Sequence, residues 1–141
     1  MTPAPPVLYF EDVAVGDCAD TPAMTVTEAH AMLFRTLTAE PAQQGAAVPE
    51  LLPLCLSIGL GWRIPQPPLS VLAFTGIDWQ IVRAVEAGET IASRSCIVIK
   101  RAMREAGIVV EEREIFDPRG EVVQRGRMTF LVARRPTGGP A

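Results

Sequence analysis

The chain carries a single histidine, His30, in 141 residues, so chemistry that needs an imidazole base has one residue to draw on. Cysteine is scarce as well. Cys18, Cys55 and Cys96 are odd in number and far apart, neither a disulfide framework nor a metal-ligand spacing. They are therefore expected as unpaired thiols in a reducing, cytoplasmic setting, with no metal and no other cofactor. Basic runs are missing, since none is longer than pairs such as Lys100-Arg101 and Arg134-Arg135, and the net charge is −3. A surface that tracks phosphates needs clustered cations, so no nucleic-acid partner is expected. Long hydrophobic runs are missing too. The most apolar stretch, Leu51 to Trp62, is interrupted by Pro53 and falls short of the roughly 20 residues a membrane span requires. Met1-Thr-Pro-Ala-Pro-Pro6 lacks a basic segment followed by an apolar one, so neither a secretory signal nor a membrane partner is expected.

What remains is 48% hydrophobic and 21% charged, the composition of one globular domain with a packed core. Tyr9 to Asp17 reads as an irregular entry turning at Gly16, and Met24 to Thr27 as a short strand. Thr27 is placed to cap a helix in which Ala29, Met32, Leu33, Thr36 and Leu37 recur at helical spacing and form one apolar face. Glu28 suits the positive end of that helix, and Pro41 ends it. A polar loop from Ala39 to Val48 follows. Leu51 to Trp62 is apolar nearly all round and so predicts a helix enclosed by other elements. Pro53 is compatible with it only if the helix begins near residues 50 to 52. Beyond lie strands over Leu69 to Val85, Thr90 to Lys100, Ile108 to Phe116 and Val122 to Ala133. The last alternates Val122, Gln124, Gly126, Met128, Phe130 and Val132 against Arg125 and Arg127. Asp117-Pro118-Arg119-Gly120 makes the final hairpin turn. Helix first and strands after indicate an α+β domain with helix packed on one sheet face.

Several segments, in order and spacing, resemble the MaoC-like hot-dog family of (R)-specific enoyl-CoA hydratases and dehydratases. They are Tyr9-Phe10-Glu11-Asp12 with Val15-Gly16-Asp17, Thr25 to His30 with Leu33-Phe34 and Leu37-Thr38, Ile77-Asp78-Trp79, Val85 with Ala87 to Thr90, and Asp117 to Val123. The resemblance implies a hot-dog fold over residues 8–135, an antiparallel β-sheet wrapped around a central α-helix, with flexible tails at 1–7 and 136–141. It further implies an acyl-CoA or acyl-carrier-protein thioester, or a related polyketide-type intermediate, as substrate. The partner is expected to be a second copy, or another hot-dog subunit in a heterodimer.

In the hydratases an Asp and a His on the loop after the first helix share the proton transfers. Where the family has Gly-Asp-x-Asn-Pro-x-His, this chain reads Ala39-Glu40-Pro41-Ala42-Gln43-Gln44-Gly45. Glu40 thus falls on the Asp position, and Gly45, without a side chain, on that of the His. Glu40 and Glu50 are the candidate catalytic carboxylates. Gln43, Gln44 and Asp78 are candidates for hydrogen bonding to substrate, and Arg63 and Arg83 for meeting coenzyme A phosphates. His30 reads as a partly exposed helix residue, and Cys55 and Ser57 as packing. The resemblance leaves three activities: dehydration or hydration, or an atypical elimination or ring closure; thioester hydrolysis with Glu50 as base; and a non-catalytic subunit completing an active partner.

Overall fold

The computed structural model describes residues 6–42 and 44–137. Most of both expected tails, and the candidate Gln43, lie outside the described residues. After a turn of 3-10 helix at Phe10–Asp12 come β1 (Cys18–Asp20), β2 (Met24–Thr25), α1 (Glu28–Thr38) and α2 (Leu52–Gly61). The long strands β3 (Val71–Ile81), β4 (Thr90–Ala102), β5 (Ala106–Phe116) and β6 (Val122–Ala133) complete the chain. The sheet order is β1-β4-β5-β6-β3, every pairing is antiparallel, and β2 pairs beside β1 on the same edge of β4. Helix α2 packs on β4 and β5, giving the expected α+β arrangement of sheet around helix. Among the described residues no helix is long and apolar enough to cross a membrane.

Local chemistry explains the starts and stops. The Thr27 side chain accepts from the His30 amide, while the Thr27 amide donates to His30 Nδ1 at 3.0 Å, so the lone histidine closes a capping box at α1. Ala39 in the left-handed region ends α1 two residues before Pro41. Helix α2 begins at Leu52, which puts Pro53 in the first turn, where no intrahelical donor is needed. Gly120 takes φ +84 in the β5–β6 hairpin and donates to the Asp117 carbonyl at 2.9 Å. The alternation read for β6 is observed, with Gln124, Met128 and Val132 buried and Arg125 and Arg127 exposed.

Three expectations change. The stripe on α1 exists but points outward: Met32, Leu33 and Leu37 are exposed, and the helix reaches the core through Ala31 and Phe34 instead. Helix α2 is not enclosed all round, because one sheet covers only one side of it. Leu52, Leu54, Ser57 and Leu60 are buried while Cys55, Ile58 and Trp62 are open. Finally, Cys18 and Cys96 are joined in a disulfide, leaving only Cys55 free. A sequence separation of 78 hid the pair; the β1–β4 register sets the two directly opposite.

Charge is fixed at the sheet end by Arg83, which donates to both Glu89 oxygens at 2.9 and 3.1 Å and to Asp117 at 3.0 Å. The Asp117 carboxylate also accepts from the amides of Arg119 and Glu121. The Glu121 amide, then Arg83, hold Asp117 below the usual aspartate range, and Arg83 does the same for Glu89. Both carboxyls titrate lower folded than unfolded, so they add stability above the unfolded values near 4 and lose it as pH falls through the folded ones. Acid unfolding followed by circular dichroism should therefore begin at higher pH in Arg83→Met than in the parent chain. A second prediction concerns Gly107, where a Cβ would overlap the Phe10 ring. Gly107→Ala should cost about 1–3 kcal/mol in denaturant unfolding by displacing that ring.

Candidate active site

An open cleft of about 580 Å³ lies between the C-terminal half of α2 and the sheet. Ile58, Trp62, Ile64, Phe74, Met128 and Phe130 are among its apolar walls, and Leu69, Pro67 and Pro68 lie along its rim. This size and lining suit a small-molecule site that holds an apolar group. Strand β5 supplies the polar floor. Residues two apart share a strand face, so Glu111 and Arg113 stand in line with buried Val109 and Ile115. Arg113 is 8% exposed. Its Nη2 donates to Glu111 Oε1 at 2.5 Å and its Nη1 to the buried Ser57 hydroxyl at 3.4 Å, while Nε is buried with no partner among the described residues. Ser57 in turn donates to the Leu54 carbonyl, so it ties the guanidinium to α2. Packing was the role read for Ser57 from sequence, and this contact adds to it.

The residues singled out from sequence lie elsewhere. Glu40 is exposed just past α1, its amide donating to the Thr38 hydroxyl at 3.3 Å. Gln44 is exposed, and Gly45 takes φ +96 in the loop that Ala47 joins to Glu86. Glu50 has an exposed side chain, but its carbonyl accepts from Gln124 Nε2 at 2.7 Å. Gln124 is fully buried and accepts from Trp79 Nε1 at 3.0 Å through its own Oε1. The entry to α2 therefore hangs on a chain of three residues from three elements. Asp78 lines a shallow depression on the other face of the sheet with Gln80, Glu112 and Arg127. Arg63 is exposed beyond α2, and Arg83 is committed to Glu89 and Asp117. Of these residues none lines the cleft. His30 and its capping role leave no imidazole there.

Sequence reasoning missed Glu111 and Arg113 because β5 has apolar residues at both parities. Ile108 and Val110 alternate with Val109 and Ile115, so the pattern did not say which face was inside. The signal was present only in the neighbour β6, whose alternation from Gln124 to Val132 fixes the inner face through their register.

No family model and no curated protein matches this chain. Solved structures do. One is described as the monoamine oxidase regulatory protein from Archaeoglobus fulgius, with TM-score 0.84 and 27% identity over 92% of this chain and 97% of that one. Another is the MaoC-like dehydratase from Rhodospirillum rubrum, with TM-score 0.77 and 21% identity over 92% and 99%. A conserved hypothetical protein from Mycobacterium tuberculosis, described as a double hot-dog fold, matches with TM-score 0.75 and 19% identity over 96% of this chain and 47% of its own.

The hydrogen-bond chain at the entry to α2 can be broken by one substitution. Gln124→Leu leaves the Trp79 N–H and the Glu50 carbonyl without their partner, which should cost about 1–3 kcal/mol. Denaturant unfolding gives the loss, and the near-ultraviolet signal of Trp79 should change with it.

Proposed function

We propose that this chain, whose fold matches those of solved MaoC-like proteins, acts on an acyl thioester by dehydratase- or hydratase-type chemistry, with the acyl group in the cleft beside α2. The observation that carries this reading is the cleft itself. It is open to solvent, mostly apolar in its walls, and bordered by the helix that has no polar face. Adding or removing water across a double bond needs one group to take the α-proton and another to protonate or activate the oxygen. With Gly45 in place of the usual histidine, the carboxylates Glu40 and Glu50 are the groups offered for this, Glu40 first; both stand on exposed segments outside the cleft lining, so the proposal requires the loop after α1 to bring its carboxylate to the thioester end of the substrate. Gln43 and Gln44 are offered for positioning, Asp78 for hydrogen bonding, and Arg63 for a coenzyme A phosphate. Arg83 keeps that role only if its internal pairs are shared.

The oligomer belongs to the same proposal. Strand β3 is a sheet edge with Leu72, Phe74 and Ile77 exposed, and α1 exposes Met32, Leu33 and Leu37. A second copy on these surfaces would cover apolar area that a monomer leaves in water and close the open side of the cleft. The absence of a side chain at Gly45 also favours a second reading, in which this chain completes a heterodimer whose other hot-dog subunit does the chemistry. Both readings keep the protein in the cytoplasm. Most thiols are held reduced there, so the Cys18–Cys96 disulfide would be an exception in that setting.

Hydration of crotonyl-CoA, followed by loss of its conjugated absorbance, separates the readings. Turnover by the purified chain, reduced about a hundredfold or more in Glu40→Gln, is the expected result. Equal turnover in both forms would remove Glu40 as the acid. No turnover unless a second hot-dog chain is added would establish the heterodimer instead.

A further inference from the structure

A charged pair on the inner face of a central strand is costly unless something uses it, because two ions leave water for one contact. Here the cost is only partly met. Two of the five N–H groups of Arg113 have protein partners, and of Glu111 only Oε1 is engaged, among the described residues. Both residues line the cleft, amid Val109, Ile97, Met128 and Phe130. A saturated hydrocarbon chain laid there would cover these groups and leave them unpaired. A chain carrying an oxygen at that depth would accept from Arg113, and a hydroxyl would also donate to Glu111. The pair is neutral as a whole, so it suits a neutral oxygen function better than a carboxylate or a phosphate.

We propose that the cleft selects an acyl chain bearing a keto or hydroxyl oxygen within its apolar body, beyond the thioester, and seats that oxygen on the Arg113–Glu111 pair. This rests on reading the cleft as the acyl-binding site. Sites built to hydrogen-bond a substrate oxygen reject the analogue without it, since their own polar groups are then stranded. The selectivity follows from the floor of the cleft, wherever proton transfer takes place.

The test uses the full chain, with calorimetry and the fluorescence of Trp62 in the cleft wall as readouts. The probes are N-acetylcysteamine thioesters of decanoic, 5-oxodecanoic and 7-oxodecanoic acids, and the three methyl esters. At least one oxo probe should bind at least tenfold more tightly than its saturated counterpart. In Arg113→Met/Glu111→Leu that preference should fall to within about twofold, with the saturated probe bound as well as before. Replacing a buried ion pair by apolar residues of similar size is often neutral for stability. Should that variant fail to fold, Arg113→Lys keeps the charge without the planar fork and should lower the preference at least threefold. Equal binding of oxo and saturated probes by the parent chain overturns the proposal, as does a preference that survives either substitution. An oxo preference among methyl esters with no thioester bound upholds it while refuting the thioester reading. No binding of any probe refutes both.

Discussion

A ten-residue helix with apolar residues on every side presents a single sheet with more surface than it can cover. Helix α2 is such a helix, and the arrangement around it follows from that mismatch. One side, through Leu52, Leu54, Ser57 and Leu60, is taken by the sheet. The other, through Cys55, Ile58 and Trp62, is left to whatever else can be brought against it. The cleft exists because the covering stops there. The hydrogen bonds from Trp79 through Gln124 to the Glu50 carbonyl set the angle at which the helix enters, and so decide which side is which.

Polar groups in the interior fall into two kinds. Arg83, Glu89 and Asp117 satisfy one another and the hairpin amides around them, so they hold the β5–β6 turn to the loop between β3 and β4 and leave little for a ligand. Arg113 and Glu111 are incompletely matched and sit beside empty space. The same residue types therefore stabilise in one place and recognise in another, and the number of unmet donors tells the two apart.

Where local period decided the structure, the sequence could be read. The capped start of α1, the late start of α2 required by Pro53, the hairpin at Gly120 and the inward face of β6 all follow from neighbours a few residues away. Where a distant partner decided it, reading failed. The Met32, Leu33 and Leu37 stripe could be seen but not its direction, since an apolar stripe looks the same facing a core or another subunit. Cys18 and Cys96 met through strand register, which no spacing rule anticipates. In β5 the apolar residues occupy both parities, so the charges facing the cleft could not be told from those facing water. Glu40 and Glu50 came from resemblance alone, and their separation from the cleft is a fact of the loop that carries them.

The strand order has a consequence in time. Strands β4, β5 and β6 are joined by short hairpins and pair in the sequence in which they are made. Strand β3 precedes them all, yet among the described residues its one strand neighbour is β6, 56 positions further along where Phe74 faces Phe130. During synthesis it must wait as an unpaired apolar edge until the final strand of the sheet has left the ribosome. A nascent chain halted inside β6 would hold nearly all the residues of the cleft and none of its closed shape, with Phe74 and Ile77 free to find the wrong partner.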